Sequence, residues 1–301
     1  MEWSRKWFEG FKGVVREGVS LAPYSHLRVG GKASVFLEPW SEEDAALALG
    51  VCREHGLPYY VLGGGSNLLI HDDGVDAVVF CLGKWNRVVK DENRLIASAG
   101  ASLASLLRMA KDSRLSGLET LVGIPAQVGG AVMMNAGTVH GETFDRVESV
   151  RVIDERTELR TLERAELDPG YRDGRLGDVL VTTATFALTP GSSEEIWEKM
   201  SGWLKQRSQT QPVQEKSVGC MFKNPAGEAG TELSAGRLID EAGMKGERVG
   251  DVEVSPKHAN YFINHGEGTA GQMLELIDRV RRHVKDDSGI QLELEVKLWG
   301  F

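Results

Sequence analysis

The chain has 301 residues, and 35 lysines and arginines against 44 aspartates and glutamates give it a formal net charge of −9. This length accommodates two modest domains, or one domain with an added lobe. The acidic balance supplies no overall field that attracts nucleic acid or an anionic membrane. No stretch approaches the ~18 apolar residues that a membrane helix needs. We therefore expect a globular protein with neither nucleic-acid nor membrane partners.

Glycine and cysteine are the informative parts of the composition. The 36 glycines are about 12% of the chain, against a usual ~7%, and only 9 prolines accompany them, so the excess is not a linker bias. Cys52, Cys81 and Cys220 are odd in number and far apart. A disulfide framework is therefore not expected, and the reducing cytoplasm is the predicted compartment.

Strand and helix signals alternate along the chain, which predicts an α+β fold. Trp3, Trp7 and Phe11 fall at helical spacing and predict a short packing helix. Ser41 begins a capping box ahead of a helix. Further helices are predicted at 103–110, 194–205, 238–242 and around 273–284. Strands are predicted at 59–62, 78–82, 147–153, 179–188, 259–264 and 292–299.

Turn-forming residues at 189–193 mark the predicted domain boundary. We expect an N-terminal helical segment at 1–20, a first domain at 21–190 and a second, smaller domain at 191–301. The second domain ends in the strand at 292–299, where apolar and polar residues alternate.

The first glycine cluster follows the predicted strand at 59–62. Gly63, Gly64 and Gly65 let the backbone turn and bring N–H groups close to a ligand, and Ser66 and Asn67 add side-chain donors. That arrangement suits a pyrophosphate. The spacing is not that of a dinucleotide-binding Rossmann loop, and no P-loop lysine follows. A tight turn between strands is the alternative.

The second cluster, 123–137, interleaves glycine with Ile, Val and Met. This pattern favours backbone facing a flat or phosphate-bearing ligand. The alternative is a buried helix of small residues packed closely on a neighbour. Two such clusters, preceded by the glycine pair in 28–31, favour a large dinucleotide lying across the fold.

Segments 62–67 and 123–137 resemble the flavin-binding motifs of the UDP-N-acetylenolpyruvoylglucosamine reductase family. Further similar motifs lie at 211–212, 219–225, 236–239, 257–260 and 292–296, so the resemblance covers about 23–300. It implies an FAD-binding domain of vanillyl-alcohol-oxidase (PCMH) type plus a smaller α/β substrate-binding domain. The residues that it implies for FAD are Arg28, Gly30, Gly63, Gly64, Gly65, Ser66, Asn67, Gly123, Ile124, Pro125, Gly129, Gly130, Asn135, Ala136 and Gly137.

The resemblance also implies a reaction. NADPH reduces FAD, and the hydride then passes from flavin N5 to the terminal carbon of UDP-N-acetylglucosamine enolpyruvate, giving UDP-N-acetylmuramate for peptidoglycan synthesis. Three positions match the family's catalytic roles. Arg172 would bind the substrate carboxylate, Cys220 would donate the proton, and Glu295 would polarise the enolate or relay the proton, a choice that stays open.

Cys220 stands where the family usually has serine. A thiol, with a reference pKa of ~8.5, is a far better acid than an alkanol. The same property exposes it to ionisation at alkaline pH and to peroxide. Cys52 and Cys81 are instead expected to be small buried side chains.

The resemblance also implies contacts with the substrate. They are Tyr171, Arg207, Lys223, Asn224, Lys257 and Lys297. Arg207 is expected at the diphosphate, and His258 is expected to be a structural hydrogen-bonding residue. No His, Cys or Asp grouping has metal-ligand spacing, so no metal is expected.

Some positions depart from the family pattern. Gly174 replaces a common serine, and Pro169-Gly170 precedes Tyr171 where an aromatic residue is common. The stretch between Arg172 and Cys220 is short, as in the shorter subclass of the family. How the protein covers the bound nucleotide therefore stays an open question at this point. We expect a monomer. The alternatives are another FAD-dependent oxidase of the same fold and a non-catalytic sugar-nucleotide-binding protein.

Overall fold

Residues 2–226 and 233–301 are described by a computed structural model, in which the chain divides into two units. Unit 1 contains the residues up to Val19 together with Ser34–Gly64 and Asp76–Lys205. Unit 2 contains Ser20–Ala33, Gly65–Val75 and Gln206–Phe301. The chain passes between the units several times, so neither is a continuous segment.

Six helices and eighteen strands are assigned within the described residues. The helices are α1 (Glu42–Glu54), α2 (Leu103–Asp112), α3 (Val128–Met133), α4 (Ser193–Thr210), α5 (Ala235–Glu241) and α6 (Ala270–Ser288). The strands are β1 (Val14–Ser20), β2 (Lys32–Glu38), β3 (Tyr59–Leu62), β4 (Leu68–Ile70), β5 (Gly74–Cys81), β6 (Val88–Asp91), β7 (Arg94–Ser98), β8 (Leu115–Ser116), β9 (Gly137–Thr138), β10 (Gly141–Glu142), β11 (Val147–Ile153), β12 (Leu159–Glu163), β13 (Leu180–Ala187), β14 (Thr189–Pro190), β15 (Arg248–Val249), β16 (Val252–Val254), β17 (Phe262–Asn264) and β18 (Lys297–Trp299). Short 3₁₀ helices lie at Arg5–Phe8, Ala22–Tyr24, Glu119–Leu121, Thr143–Asp145 and Arg164–Glu166.

Unit 1 is built on two sheets. One has the strand order β1-β2-β5-β3, in which β3 and β5 run parallel. The other has the order β12-β11-β13-β7-β6 and its pairs are antiparallel. Valine and phenylalanine side chains such as Val150, Val152 and Phe186 are buried between these strands and the helices of the unit. The parallel strand β3 ends at Leu62, so the glycine loop starts at the edge of a sheet.

Unit 2 packs α5 and α6 against the antiparallel sheet β15-β16-β17. The stripe Met273, Ile277, Val280 and Val284 on α6 is fully buried, as its spacing predicts. A second, parallel pair joins β4 to β18. This pair brings a segment from the first quarter of the sequence next to the C-terminal strand.

Local signals located several elements well. The predicted strands at 59–62 and 147–153 coincide with β3 and β11, and α2 and α6 lie where expected. Ser41 caps α1, its hydroxyl accepting from the backbone N–H of Asp44 at 3.2 Å. Each of these features is set by neighbouring residues in the sequence.

Three predicted elements need correction. Within 1–20, only Arg5–Phe8 is helical and β1 follows. The predicted strand at 292–299 is regular only over β18, because 293–295 pairs irregularly with the 221–223 backbone before the chain reaches β4. The predicted strand at 259–264 shortens to β17 because its first half pairs with the same segment.

The observed division also differs from the predicted boundaries at 20 and 190. The chain crosses from unit 1 to unit 2 for the last time between Lys205 and Gln206, inside α4. The first turns of α4 bury Ile196 and Met200 in the core of unit 1, which keeps them with that unit. No helix in the described part of the chain is long and apolar enough to cross a membrane.

The start of α6 is held from outside its own sequence. The Asp72 carboxylate accepts the backbone N–H groups of Ala270 at 2.8 Å and Gly271 at 2.9 Å. These are two of the helix donors that have no partner within the helix. We predict that Asp72→Ala lowers the free energy of unfolding by about 1–2 kcal/mol, measured by chemical denaturation.

Asp73→Ala is the matched control for this change. Its carboxylate is exposed and lies 3.6 Å from His71, an interaction of the kind that contributes little. Equal stability losses for the two variants would contradict the capping role of Asp72.

Candidate active site

Three glycines of unit 1, Gly63, Gly64 and Gly83, lie close to Gln127, and Gly130 lies next to Gly63. A methyl group built on Gly63 would lie 3.8 Å from Gln127 Oε1, and one on Gly83 would lie 3.7 Å from Gln127 Nε2. One on Gly64 would lie 3.5 Å from the Gln127 backbone nitrogen, and one on Gly130 would meet no described atom within 4 Å. We call this arrangement the glycine recess. Gly83 was not among the predicted residues.

The Gln127 amide oxygen sets the chemistry of the recess. It is buried and accepts no hydrogen bond from any residue in 2–226 or 233–301. Leaving a buried acceptor without a donor costs about 1–3 kcal/mol. The recess therefore fits a ligand that brings a hydrogen-bond donor against exposed backbone, and FAD carries such donors on its flavin and ribityl groups.

Other predicted glycines are required by packing. A methyl group on Gly129 would lie 2.9 Å from Ala99 Cβ, and one on Gly30 would lie 2.8 Å from Ile70 Cβ. Gly65, with φ of +66°, would place its methyl group against the carbonyl oxygen of Tyr24. For Gly129 the close-packing alternative is therefore the observed one. Gly65 and Gly30 belong to unit 2.

The remaining predicted cofactor residues lie on loops. Gly123 and Pro125 are exposed ahead of α3, and Ile124 is half-buried against the core of unit 1. Ala136 is half-buried, and its carbonyl accepts from the Thr143 backbone N–H at 2.9 Å. In unit 2, Ser66 is half-buried. Arg28 has a positive φ, and its guanidinium donates to the carbonyl of Pro23 at 2.6 Å.

Arg172 lies beside the hairpin that follows α3. Its Nη2 donates to the carbonyl of Gly137 at 3.0 Å, and its Nη1 lies 3.8 Å from Glu142 Oε1. Its guanidinium carbon stands 5.0 Å from the centre of the Tyr171 ring. The residue has φ of +55°, a conformation that non-glycine residues rarely adopt. Unit 1 thus brings a predicted catalytic residue to the end of the second glycine cluster.

Asn135 helps to fix the position of Arg172 through hydrogen bonds to neighbouring segments. Its amide nitrogen donates to Glu142 Oε2 at 2.6 Å and to the carbonyl of Gly170 at 3.0 Å. Its amide oxygen accepts from the backbone N–H of Phe144 at 3.2 Å. The side chain predicted to contact FAD therefore bonds to the segments that carry Arg172 and Glu142.

Cys220 lies in unit 2 on an irregular strand. Cys220 pairs with Tyr261, and Phe222 pairs with Leu294 on the other side. Asn260, only 2% exposed, accepts from the backbone N–H of Phe222 at 2.9 Å and donates to its carbonyl at 2.8 Å. The backbone around Cys220 is thereby fixed from both sides.

Glu295 is brought to the same segment. Its backbone N–H donates to the carbonyl of Met221 at 2.9 Å. The Asn67 amide donates to the carbonyl of Glu295 at 3.0 Å, and Asn67 in turn accepts from the N–H of Lys297 at 3.0 Å. The side-chain amide of Asn67, a predicted cofactor residue, therefore holds the segment that carries Glu295.

Tyr261 links the unit 2 residues and was missed by the sequence analysis. It is 7% exposed, its hydroxyl donates to Gln211 Oε1 at 2.9 Å, and it forms a hydrogen bond with Arg207. Burial raises the pKa of Tyr261, and the nearby Cys220 and Glu295 raise it further. The pairing opposite Cys220 that would have revealed Tyr261 depends on tertiary structure and leaves no local signal.

The predicted substrate residues of unit 2 have varied partners. Lys223 Nζ lies 3.9 Å from Glu293, and Lys257 Nζ donates to the carbonyl of Ser208 at 2.5 Å. Asn224 Oδ1 accepts from the first N–H of α5 at 3.1 Å. The Lys297 side chain is exposed.

His258 and the other two cysteines are structural. Burial lowers the pKa of His258, whose Nδ1 accepts from the backbone N–H of Asn260 at 3.3 Å. Cys52 is fully buried, and burial raises its pKa to about 12. Cys81 is half-buried, where full burial was expected, and its sulfur accepts from the N–H of Gly83 at the wall of the glycine recess. No cluster of His, Cys, Asp or Glu suited to a metal occurs among the described residues.

Comparisons with known proteins match nearly the whole chain. The sequence model for the C-terminal domain of UDP-N-acetylenolpyruvoylglucosamine reductase matches residues 211–299, and that for an FAD binding domain matches 33–163. The chain is 41% identical to the UDP-N-acetylenolpyruvoylglucosamine reductase of Moorella thermoacetica, over 97% of this chain and 95% of the relative.

Comparison with solved structures gives the same family and fold. The crystal structure of UDP-N-acetylenolpyruvylglucosamine reductase from Thermus caldophilus has 40% sequence identity and a TM-score of 0.81, covering 95% of this chain and 99% of that one. A variant of berberine bridge enzyme in complex with (S)-reticuline gives a TM-score of 0.51 at 18% identity, over 64% of this chain and 45% of that one. The latter shows a likeness of fold alone, that of an FAD-binding domain of PCMH type.

The two adjacent glycines of α3 allow a matched test of the recess. We predict that Gly130→Ala folds normally but binds FAD about tenfold or more weakly, because the methyl group enters open space facing the ligand. Gly129→Ala should instead lose about 1–3 kcal/mol of stability, because its methyl group meets Ala99.

Flavin fluorescence titration and thermal unfolding of the cofactor-free protein measure the two effects separately. Unchanged FAD affinity in Gly130→Ala would contradict the assignment of the recess.

Proposed function

The chain belongs to the UDP-N-acetylenolpyruvoylglucosamine reductase family, and we propose that it reduces UDP-N-acetylglucosamine enolpyruvate to UDP-N-acetylmuramate for peptidoglycan synthesis. NADPH is the proposed reductant and FAD the bound cofactor. The observation that carries the proposal is that the fold brings Cys220 and Glu295, far apart in the sequence, to one segment: Cys220 pairs with Tyr261, and the Glu295 backbone N–H donates to the carbonyl of Met221, the residue after Cys220. A thiol and a carboxylate are groups that a proton-delivering site needs.

The glycine recess is the proposed place of FAD. When bound there, FAD would carry the hydride from NADPH to the terminal carbon of the enol ether. Gly63, Gly64 and Gly130 would leave room for the cofactor against the backbone, and Gln127 Oε1 would accept one of its hydrogen bonds.

Arg172 is proposed to bind the substrate carboxylate. Its side chain is 16% exposed and is held by Gly137 and Glu142. A guanidinium fixed in this way loses little further freedom on binding a planar carboxylate. Its charge also stabilises the negative charge that spreads into the carboxylate as hydride arrives.

Cys220 is proposed to supply the proton. The S–H bond breaks as a C–H bond forms at the carbon that bears the carboxylate, and the negative charge moves to sulfur. Glu295 is held next to the same segment, its backbone N–H donating to the carbonyl of Met221 at 2.9 Å. Its carboxylate would polarise the enolate or relay the proton.

The proposal also covers the oligomeric state, the compartment and the partners of the protein. We propose that it acts as a monomer in the cytoplasm, with small-molecule partners only. The three cysteines, all in the described part of the chain, form no disulfide, which fits a reducing compartment.

The test is the reaction itself, in two halves. We predict that the purified protein is yellow, that NADPH bleaches its flavin, and that the enolpyruvyl sugar nucleotide restores the colour. Cys220→Ala should slow this reoxidation by about 10²–10⁴-fold, whereas Cys220→Ser should keep substantial activity. Stopped-flow absorbance follows both half-reactions.

Three outcomes would count against the proposal. A colourless protein that takes up no FAD would refute an enzymatic role. Rapid NADPH turnover with O₂ alone would favour another flavin oxidase. Reoxidation of Cys220→Ala at the native rate would exclude Cys220 as the proton donor.

A further inference from the structure

We infer that Tyr261 is a positioning residue for proton transfer, which holds Arg207 beside Cys220 so that the Arg207 guanidinium stabilises the thiolate left after the proton has moved. The inference rests on the proposed function in taking Cys220 as the donor. It moves Arg207 from the expected diphosphate contact to the site of chemistry.

The backbone sets the distance between Tyr261 and Cys220. The two residues face each other in an antiparallel bridge, an arrangement that puts side chains on the same face with Cβ atoms ~4.5–5.5 Å apart. The Tyr261 carbonyl accepts from the N–H of Ser255 at 2.8 Å, and its N–H donates to the carbonyl of His258 at 2.9 Å. The ring therefore keeps a fixed position relative to the thiol.

The direction of the hydrogen bonds follows from the groups involved. A tyrosine hydroxyl has one proton, and here it is donated to Gln211 Oε1. Arginine has donors and no acceptor, so the hydrogen bond with Arg207 runs from the guanidinium to the Tyr261 oxygen. Gln211 is tied to Arg207 in turn, its backbone N–H donating to the Arg207 carbonyl at 2.8 Å. Hydrogen bonds thus link each of the three residues, Tyr261, Gln211 and Arg207, to the other two.

We assign the proton transfer to Cys220 and not to Tyr261, because the one hydroxyl proton of Tyr261 is already donated to Gln211 Oε1 at 2.9 Å. The hydroxyl is buried, and the His258 ring packs edge-on against the Tyr261 ring at 4.8 Å. Burial raises the pKa of Tyr261 well above its ordinary value. The phenol stays neutral across the working pH range and acts as a spacer between Arg207 and the thiol.

The charges around this spacer have complementary effects. Arg207, Glu295 and Cys220 all act electrostatically on the Tyr261 hydroxyl, and His258 is the other titratable group packed on the ring. Before transfer the thiol is neutral. After transfer the negative charge sits on sulfur, and the positive charge of Arg207 stabilises it. Water returns the proton to sulfur before the next turnover.

The test is Tyr261→Phe, which keeps the ring and the backbone bridge and removes the hydroxyl. We expect reoxidation of the reduced protein by the enolpyruvyl sugar nucleotide to slow about tenfold, with KM changed less than about twofold. The second readout is alkylation of Cys220 by iodoacetamide, followed by peptide mass spectrometry. The pH of half-maximal alkylation rate should rise by about half a unit or more, because Arg207 is no longer held beside the thiolate.

Tyr59→Phe is the matched control. The Tyr59 hydroxyl donates to Asp178 at 2.6 Å in unit 1, and burial raises its pKa to about 12. It loses a comparable hydrogen bond outside the site, so both readouts should stay at wild-type values. Gln211→Ala, which frees the Tyr261 proton, is the second variant and should move both readouts in the same direction as Tyr261→Phe.

The alkylation profile decides the inference independently of catalysis. A Cys220 profile that does not move in Tyr261→Phe or Gln211→Ala, or that moves equally in Tyr59→Phe, would overturn it even if the wild type reduces the enolpyruvyl compound. A wild type that does not reduce the compound, with the alkylation shift intact, would refute the proposed function and leave the positioning of Arg207 supported.

Discussion

The side-chain amide of Asn260 makes two hydrogen bonds to the backbone of Phe222, and the chemistry of unit 2 depends on that pair. The backbone carbonyl of Asn260 also accepts the N–H of Met221 at 2.8 Å. One buried residue thus serves two consecutive residues directly after Cys220. With its donor and acceptor both satisfied, the amide costs little to bury and specifies a single arrangement.

Asparagine side chains also hold the surroundings of the other two catalytic candidates, Glu295 and Arg172. The Asn67 amide holds the backbone of Glu295, and the Asn135 amide holds Glu142, which faces Arg172. In each case an asparagine amide holds the backbone of the candidate residue, or a residue next to it, in one place. Positioning of this kind reduces the reorganisation that accompanies the growth of charge.

Sequence patterns predicted the parts that depend on near neighbours. The cap at Ser41, the strand β3 and the buried stripe of α6 follow from spacing alone. The interleaving of the two units and the place of Tyr261 depend on pairings between distant segments, such as β4 with β18. The glycines illustrate the limit: Gly130 faces open space and Gly129 packs on Ala99, a difference decided by residues remote in sequence.

The pH dependence of the second half-reaction tests the central claim, that the thiol of Cys220 supplies the proton. A thiol ionises in the accessible alkaline range, whereas a serine hydroxyl does not. Reoxidation of the wild type by the enolpyruvyl sugar nucleotide should therefore fall by about tenfold per pH unit on the alkaline side, while Cys220→Ser stays level over the same range. Parallel declines in the two proteins would contradict the account, because the alkaline loss would then belong to another group.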